Sequence, residues 1–383
     1  MPNPTWISGA LYFGYYMALG SYMPYITLYY DRMGLSGVQI GVLSALPVLV
    51  GASTVLIWGT IADARHWHNR ILHLTILLAA ASILMLSTGS TFQELVPFII
   101  AFAFFNSPIV PLLDSSAVEI ASLRQSPFGN IRVWGSIGWS ISTLLVGMII
   151  QKSNIKWLFY CYVAVMLLTF AVSFLLPKRT VVLRTSLAHG MKKLVTDVPF
   201  LVFLFSVFLV SITMGATNAF FSIYMDSIGS GESAIGLAWT VSALSEIPIL
   251  LYSSALLRKI GSTGLLKIAF ITYGIRWLLY SFINTPFLVI ILQALHGLCF
   301  ATYLIGSVTY INEHAPEGMT TSALSLLNFV SFGAGAIIGS LLAGYIYQSA
   351  GLPWLFRLLS LLAFAGLGIF MLCQPRQVKV ATL

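Results

Sequence analysis

PKRTVVLRTSLAHGMKKLVTDVP, residues 177–199, is the longest polar interruption in this chain, and it falls at the midpoint. Around it the sequence is almost uncharged. Of 383 residues 58% are hydrophobic and 8% charged, against about a quarter charged in soluble domains. Apolar stretches of about 20 residues recur, each long enough to cross ~30 Å of hydrocarbon at ~1.5 Å per residue. Breaks at charges, Pro and Gly place twelve spans, near 6–30, 39–62, 70–89, 94–121, 129–151, 155–176, 199–226, 233–258, 262–284, 286–312, 318–347 and 351–373. Barrel strands would be about ten residues long and would alternate in polarity, whereas these runs are continuous and predict helices. The expected fold is an all-α integral membrane protein of twelve transmembrane helices. A six-helix bundle over 1–176 is joined by a linker over 177–198 to a second over 199–383. Two such halves predict a binding site near the midplane between them, a transporter architecture.

Charge sets the orientation. One set of span ends collects Arg65, Arg70, Arg124, Lys178, Arg179, Arg184, Lys192, Lys193, Arg258, Lys259, Lys267, Arg376 and Lys379, while the other has Arg32, Lys152 and Lys156. The positive-inside rule makes the first side cytoplasmic, with both termini there. The net charge of +8 is thereby explained by topology and anionic lipid headgroups, and no nucleic-acid partner is called for. No Lys or Arg occurs before Trp6, and the apolar run to Tyr30 is too long for a signal core, so the first span is expected to be retained. Cys161, Cys299 and Cys373 lie in different spans without paired spacing, which indicates neither a disulfide framework nor a zinc site. With no nucleophile motif or phosphate loop either, an enzyme is not expected.

The turn after the second span carries Gly59, Asp63, Arg65 and Arg70. This resembles the G-x-x-x-D-R/K-x-G-x-R/K signature of the major facilitator superfamily, which also has a twelve-span, two-half plan. His66–Trp67–His68 stands where a second glycine is usual. The resemblance implies a cytoplasmic gate, in which Asp63 caps a helix N-terminus of the facing half while Arg70 holds its carboxylate. Positive-inside anchoring by Arg65 and Arg70 is the plainer alternative. The related turn of the second half, SALLRKIGSTGLLKI at 254–268, has no acid, so the gate would be one-sided.

Asp114 and Arg132 interrupt apolar runs nine residues either side of Leu123, within PLLDSSAVEIASLRQSPFGNIRVWGSIGW, 111–139. A turn near Leu123 sets both at similar depth on antiparallel helices, roughly 10–14 Å from the turn, where pairing lowers the cost of each charge. Trp139, seven residues beyond Arg132, shares its helix face. PLLD followed by FGNIRVWGSIGW resembles helices four and five of the lactose permease group of proton symporters, and the FNSPIVPLLD lead-in is closer still to its phenylpropionate branch. The resemblance implies that Asp114, Arg132 and Trp139 bind substrate; a helix-locking salt bridge without ligand contact is the alternative.

The second half is equally sparing of charge. Between Lys267 and Glu313, apart from Tyr and Cys, only Arg276 and His296 are ionisable, and they flank Pro286 at ten residues each. Glu246 stands twelve residues before Arg258, ~18 Å along a continuous helix. Three ionisable groups at one depth form a candidate proton relay. The spacing of Arg276 and His296 is similar to that of the lactose permease group, but the lysine and glutamate of its tenth helix are replaced by Gln293 and Cys299. The proton burden then falls on Glu246, with His296 tuning it near neutral pH. A static polar lock is the alternative.

Asn106, Asn218 and Asn328 are read as buried polar side chains by span position, and Asn218 is taken as a further ligand contact. The seven tyrosines from Tyr12 to Tyr30 are read mainly as an interfacial belt, and Gly335 and Gly339 as a close helix-packing step. The expectation is a proton-coupled symporter of a small organic solute, an aromatic or organic acid or a sugar. It is expected to act as a monomer in a bacterial inner membrane, with no cofactor or metal and the proton as coupling ion. A proton-driven efflux antiporter stays open as the second reading.

Overall fold

The computed structural model describes residues 4–125, 128–177, 197–315 and 319–372. Most of the linker, both chain ends and Cys373 lie outside the described residues. Twelve helical stretches follow the sequence order: α1 (Pro4–Arg32), α2 (Gly37–Arg65), α3 (His68–Leu86), α4 (Phe92–Leu123), α5 (Gly129–Lys152), α6 (Trp157–Ser173), α7 (Val198–Ser227), α8 (Glu232–Leu251), α9 (Ser253–Tyr280), α10 (Pro286–His314), α11 (Thr320–Ala350) and α12 (Leu352–Leu372). Nine of them are long and apolar enough to span a membrane by length and composition alone. The others are α6, which is short, and α1 and α9, which carry more polar side chains.

Local sequence sets the helix ends. Ser36 and Gln39 close a capping box at the start of α2, which satisfies two of the first turn's free N–H groups. Thr91 caps α4 by accepting from the Glu94 N–H, and Asp197 caps α7 in the same way. α4 is interrupted between Asn106 and Ile109, where Pro108 lacks the N–H that a continuous helix uses. α10 and α11 each contain a π-helical stretch, Gly297–Ala301 and Phe329–Ala334, a widening frequent at functional sites.

The eighth span departs from expectation. It was read as continuous to residue 258, but α8 stops at Leu251 and the chain re-enters a helix at Ser253, which bends at Gly261 (φ 68°). That left-handed conformation suits glycine, which has no Cβ to clash. Glu246 therefore lies five residues from its helix end, ~8 Å of helical rise and not ~18 Å.

α1–α6 pack on one another, and so do α7–α12. α1 is the central helix of the first half, against α5 and α6, and this overturns the belt reading of its tyrosines. Tyr12, Tyr15, Tyr22, Tyr25, Tyr29 and Tyr30 are all buried. Three phenols find inward partners: Tyr12 donates to Asp114, Tyr15 to the Asn106 carboxamide (3.1 Å) and Tyr25 to the Thr143 carbonyl. A phenol so placed has no reason to seek the headgroup layer. In the second half Gly335 and Gly339 let α11 approach the α7 backbone at Ser211 and Ile212, as expected of a small-residue step.

The halves meet along α2–α11 and α5–α8. Gly41 and Gly344, and Gly147 and Gly236, lie where an added Cβ would collide with backbone or side-chain atoms of the facing half. Arg32 donates to both Asp226 and Glu232 (2.6 Å each). Tyr347 donates to Asp31 (2.9 Å), and the Val38 N–H reaches Gln348. These contacts lie on the face opposite the one bearing Arg65, Arg70, Arg124, Arg258, Lys259 and Lys267, called here the basic face. The molecule is closed at that opposite face.

Candidate functional site

Between the halves lies a cavity of about 400 Å³, bordered by Trp139 of α5, Asn218 of α7, Trp239 and Glu246 of α8, and Arg276 and His296 of α9 and α10. A second compartment of about 210 Å³ adjoins it, lined by Tyr16, Arg132, Ser136 and Ala243 and sharing Trp139 and Glu246 with the first. A third, about 250 Å³, runs toward the closed face past Tyr22, Tyr30 and Asn106, and shares Asn218. Six of the residues singled out in the sequence therefore line these neighbouring compartments: Arg132, Trp139, Asn218, Glu246, Arg276 and His296.

Asp114 stands behind them. Its Oδ1 lies 3.4 Å from an Arg132 guanidinium nitrogen and also accepts from the Tyr12 hydroxyl. The side chains of Arg132 and Asp114 are 52% and 36% exposed; Asp114 lies nine residues from the end of α4, whereas Arg132 lies three residues from the start of α5, nearer its helix end than the equal spacing about Leu123 predicts. The pair is open to solvent, so Arg132 keeps N–H groups for a ligand while Asp114 and Tyr12 hold its position.

The second half is built differently. Arg276 is 2% exposed. Its Nε donates to the Tyr280 hydroxyl (3.1 Å), one terminal nitrogen faces His296 Nδ1 (3.0 Å), and the other donates to the Gln293 carbonyl. The guanidinium also lies over the Trp277 ring, 4.9 Å from its centroid, a favourable cation–π placement. His296 Nε2 in turn lies 3.3 Å from Glu246 Oε1. A buried cation is thus linked to a cavity carboxylate through one imidazole.

Trp139 and Trp239 meet edge to face across the two halves, centroids 6.3 Å apart. Below them Thr143 and Thr240 share a hydrogen bond of 2.8 Å, and Thr240 donates to the Ser140 carbonyl. Trp239 escaped the sequence reading because it has no charge to stand out, and Tyr12 because it looked like a belt residue. Gln293 was noticed only as a departure, yet it is a direct partner of Arg276. Asn218 is exposed in a helix otherwise buried from Gly215 to Tyr224, as a cavity-lining residue must be. Asn328, read as buried, is exposed.

The gate motif differs from expectation. Asp63 pairs with His68 of its own turn (2.9 Å), not with Arg70. Arg65 and Arg70 instead stand over Trp67, 5.0 and 5.7 Å from the ring centroid. His66 adopts a left-handed conformation (φ 54°), and the turn it makes brings His68 back to Asp63. The inter-half contacts described above lie at the other face, and among the described residues Asp63 meets no facing helix end to cap. Gly59 has open space where a Cβ would be.

Two six-helix bundles closing on a central cavity are the architecture of a membrane transporter, and the family that the chain matches is a transporter family. The chain belongs to the MFS_1 like family, whose profile matches residues 5–358. It is 26% identical over 368 residues to a maltose permease of Geobacillus stearothermophilus, covering 96% of this chain and 93% of that one. It is also 26% identical over 360 residues to a probable 3-phenylpropionic acid transporter of Escherichia coli, covering 91% and 93%. The crystal structure of the nucleoside transporter NupG superposes with a TM-score of 0.86 at 17% identity, over 96% of this chain and 99% of that one.

Proposed function

We propose that this protein is a proton-coupled symporter of a small organic solute, an aromatic or organic acid or a sugar, working as a monomer by alternating access. The observation that carries the reading is the position of Glu246. It borders the central cavity and the Arg132 compartment at once, and it contacts His296. One carboxylate therefore adjoins both the solute space and a buried charge network. Arg132, Trp139 and Asn218 bind the solute: a guanidinium for carboxylate or hydroxyl groups, an indole for a ring face, a carboxamide for a polar edge.

The closed face carrying Arg32 and Tyr347 is the outer one, and the basic face is cytoplasmic, as the positive-inside rule gives it. Both chain ends then lie in the cytoplasm, and the membrane is the bacterial inner membrane. This state loads or unloads from the cytoplasm. Rocking of the bundles about the cavity would break the α2–α11 and α5–α8 seams and close the basic face. Asp63 would then meet the second half.

The relatives supply the probes. Purified protein in liposomes, given an inwardly directed proton gradient, should accumulate at least one of labelled maltose, 3-phenylpropionate and uridine, and should lose accumulation when an uncoupler collapses the gradient. Equal uptake with and without the gradient would remove proton coupling from the reading.

A further inference from the structure

The two ring nitrogens of His296 face opposite chemistry. Nδ1 lies 3.0 Å from an Arg276 guanidinium nitrogen, and Nε2 lies 3.3 Å from Glu246 Oε1. A guanidinium offers N–H donors, has no acceptor and stays charged at every working pH. The Arg276 contact therefore requires a bare Nδ1 that accepts. The single proton of the neutral ring then sits on Nε2 and is donated to Glu246. A second proton, on Nδ1, would set two N–H groups head to head and bring another positive charge beside the first.

Arg276 is not free to move aside for that second proton. Its remaining nitrogens are committed to Tyr280 and Gln293, and its plane is packed on Trp277. The ring of His296 is also pinned, stacked nearly parallel on Phe300 with centroids 5.6 Å apart. Among the described residues, the other groups facing this pair are few, and one of them, the Cys299 thiol, also contacts Arg276. α8 presents Glu246; α9 presents Arg276 with the Tyr273 and Tyr280 phenols; α10 itself adds Gln293 and the Cys299 thiol; α7 and α11 face the cavity here with uncharged Asn218 and Phe332. Of these, Glu246 is the only carboxylate.

We propose that Arg276 is a positioning residue that holds His296 as the neutral Nε2–H tautomer, so that Glu246 alone takes up and releases the coupled proton. The assignment rests on the proton-coupled reading above and goes further by dividing the labour within the cluster. Protonation converts the Glu246 carboxylate to a carboxylic acid, with the proton arriving from water in the Arg132 compartment. The His296 N–H stays on Nε2 and hydrogen-bonds whichever oxygen remains an acceptor. No imidazolium forms, and Arg276 is compensated through the ring only while Glu246 is charged. Protonation thus leaves one uncompensated buried cation, which is what makes the proton readily released again.

The test needs no solute. Protein labelled with nitrogen-15 histidine, in lipid nanodiscs, is followed by NMR from pH 5 to 8, with the His296 signals assigned by their loss in His296→Gln. The expected result is one bare and one protonated nitrogen across the whole range, the protonated one being Nε2. In Arg276→Met, if that variant folds, Nδ1 loses the donor that kept it bare, and the tautomer should no longer be fixed. Two protonated nitrogens in the parent at pH 5, or a proton on Nδ1, would overturn Arg276's part without help from any variant. In parallel, pH-difference infrared spectra of parent and Glu246→Gln should differ by one carboxyl band. No such band would overturn Glu246's part. Because both readouts use solute-free protein, they stand apart from the liposome assay: a protein that accumulates no solute on a proton gradient fails the transport reading, whichever tautomer His296 holds.

Discussion

The two halves of this transporter handle charge in opposite ways. In the first, Asp114 and Arg132 form a water-exposed pair at 3.4 Å, with Tyr12 as a third partner. In the second, Arg276 is sealed from solvent, its N–H groups engaged by Tyr280, His296 and Gln293, and it reaches its carboxylate, Glu246, only through an imidazole. A solvated pair can trade part of its bonding for a ligand at small cost. A sealed cation cannot, because removing any partner strands a charge in low dielectric. The division suggests that the first half reads the solute while the second half keeps account of the proton.

Arg276→Met gives the largest expected effect. It leaves the Gln293 carbonyl, the Tyr280 hydroxyl and His296 Nδ1 without their donor, and each unmet buried group costs about 1–3 kcal/mol. Recovery of monodisperse protein after purification should fall sharply, with a clearly lower melting midpoint in detergent. A variant as stable as the parent would place the buried network outside the stability of the second half.

Arg132→Ala should behave in the contrary way. A solvated ion pair contributes about 1 kcal/mol or less to stability, so the melting midpoint should stay close to the parent's. Solute-induced stabilisation by whichever probe the parent recognises should disappear, a loss of affinity of at least about tenfold, or ~1.4 kcal/mol. Retained solute binding in this variant would reduce the Asp114–Arg132 pair to helix packing.

Arg32→Gln sharpens the comparison from the closed face. Arg32 joins the halves by gripping Asp226 and Glu232 together, and both it and Asp226 are partly exposed. Stability should change by less than about 1 kcal/mol, but the balance of states should move. Spin labels on the ends of α2 and α11 at this face should report a longer distance in a larger fraction of molecules. Trp239→Phe is the mildest of the set. The edge-to-face contact with Trp139 is worth about 0.5–1.5 kcal/mol, and much of it survives in a smaller ring, so apparent solute affinity should shift by a few-fold at most.

The twelve spans were readable because a bilayer imposes a length and a polarity on each, and the Asp114–Arg132 pair because a hairpin about Leu123 ties sequence spacing to depth. The break after Leu251 was hidden: Leu250, Leu251 and Leu256 carry the apolar run across it, and only the positive φ at Gly261 reveals the bend. The burial of Tyr12 and Tyr25 depends on α1 being the central helix of its half, a property of packing that no local pattern encodes. Arg32 meets Asp226 and Glu232 across 194 and 200 residues, so nothing near it in the chain announces the contact. The turn at Asp63 was matched by motif, but its bonding follows from His66 and His68, the residues where the motif departs.

The central claim is that Glu246 couples solute movement to a proton, and Glu246→Gln tests it most directly. Parent and variant are reconstituted in liposomes and given maltose, 3-phenylpropionate and uridine in turn, with external pH recorded alongside solute exchange. The account predicts that the transported solute alkalinises the medium with the parent. The variant should exchange labelled for unlabelled solute at a comparable rate and move no protons. Alkalinisation of equal size in the variant would contradict the account and transfer the proton to another group.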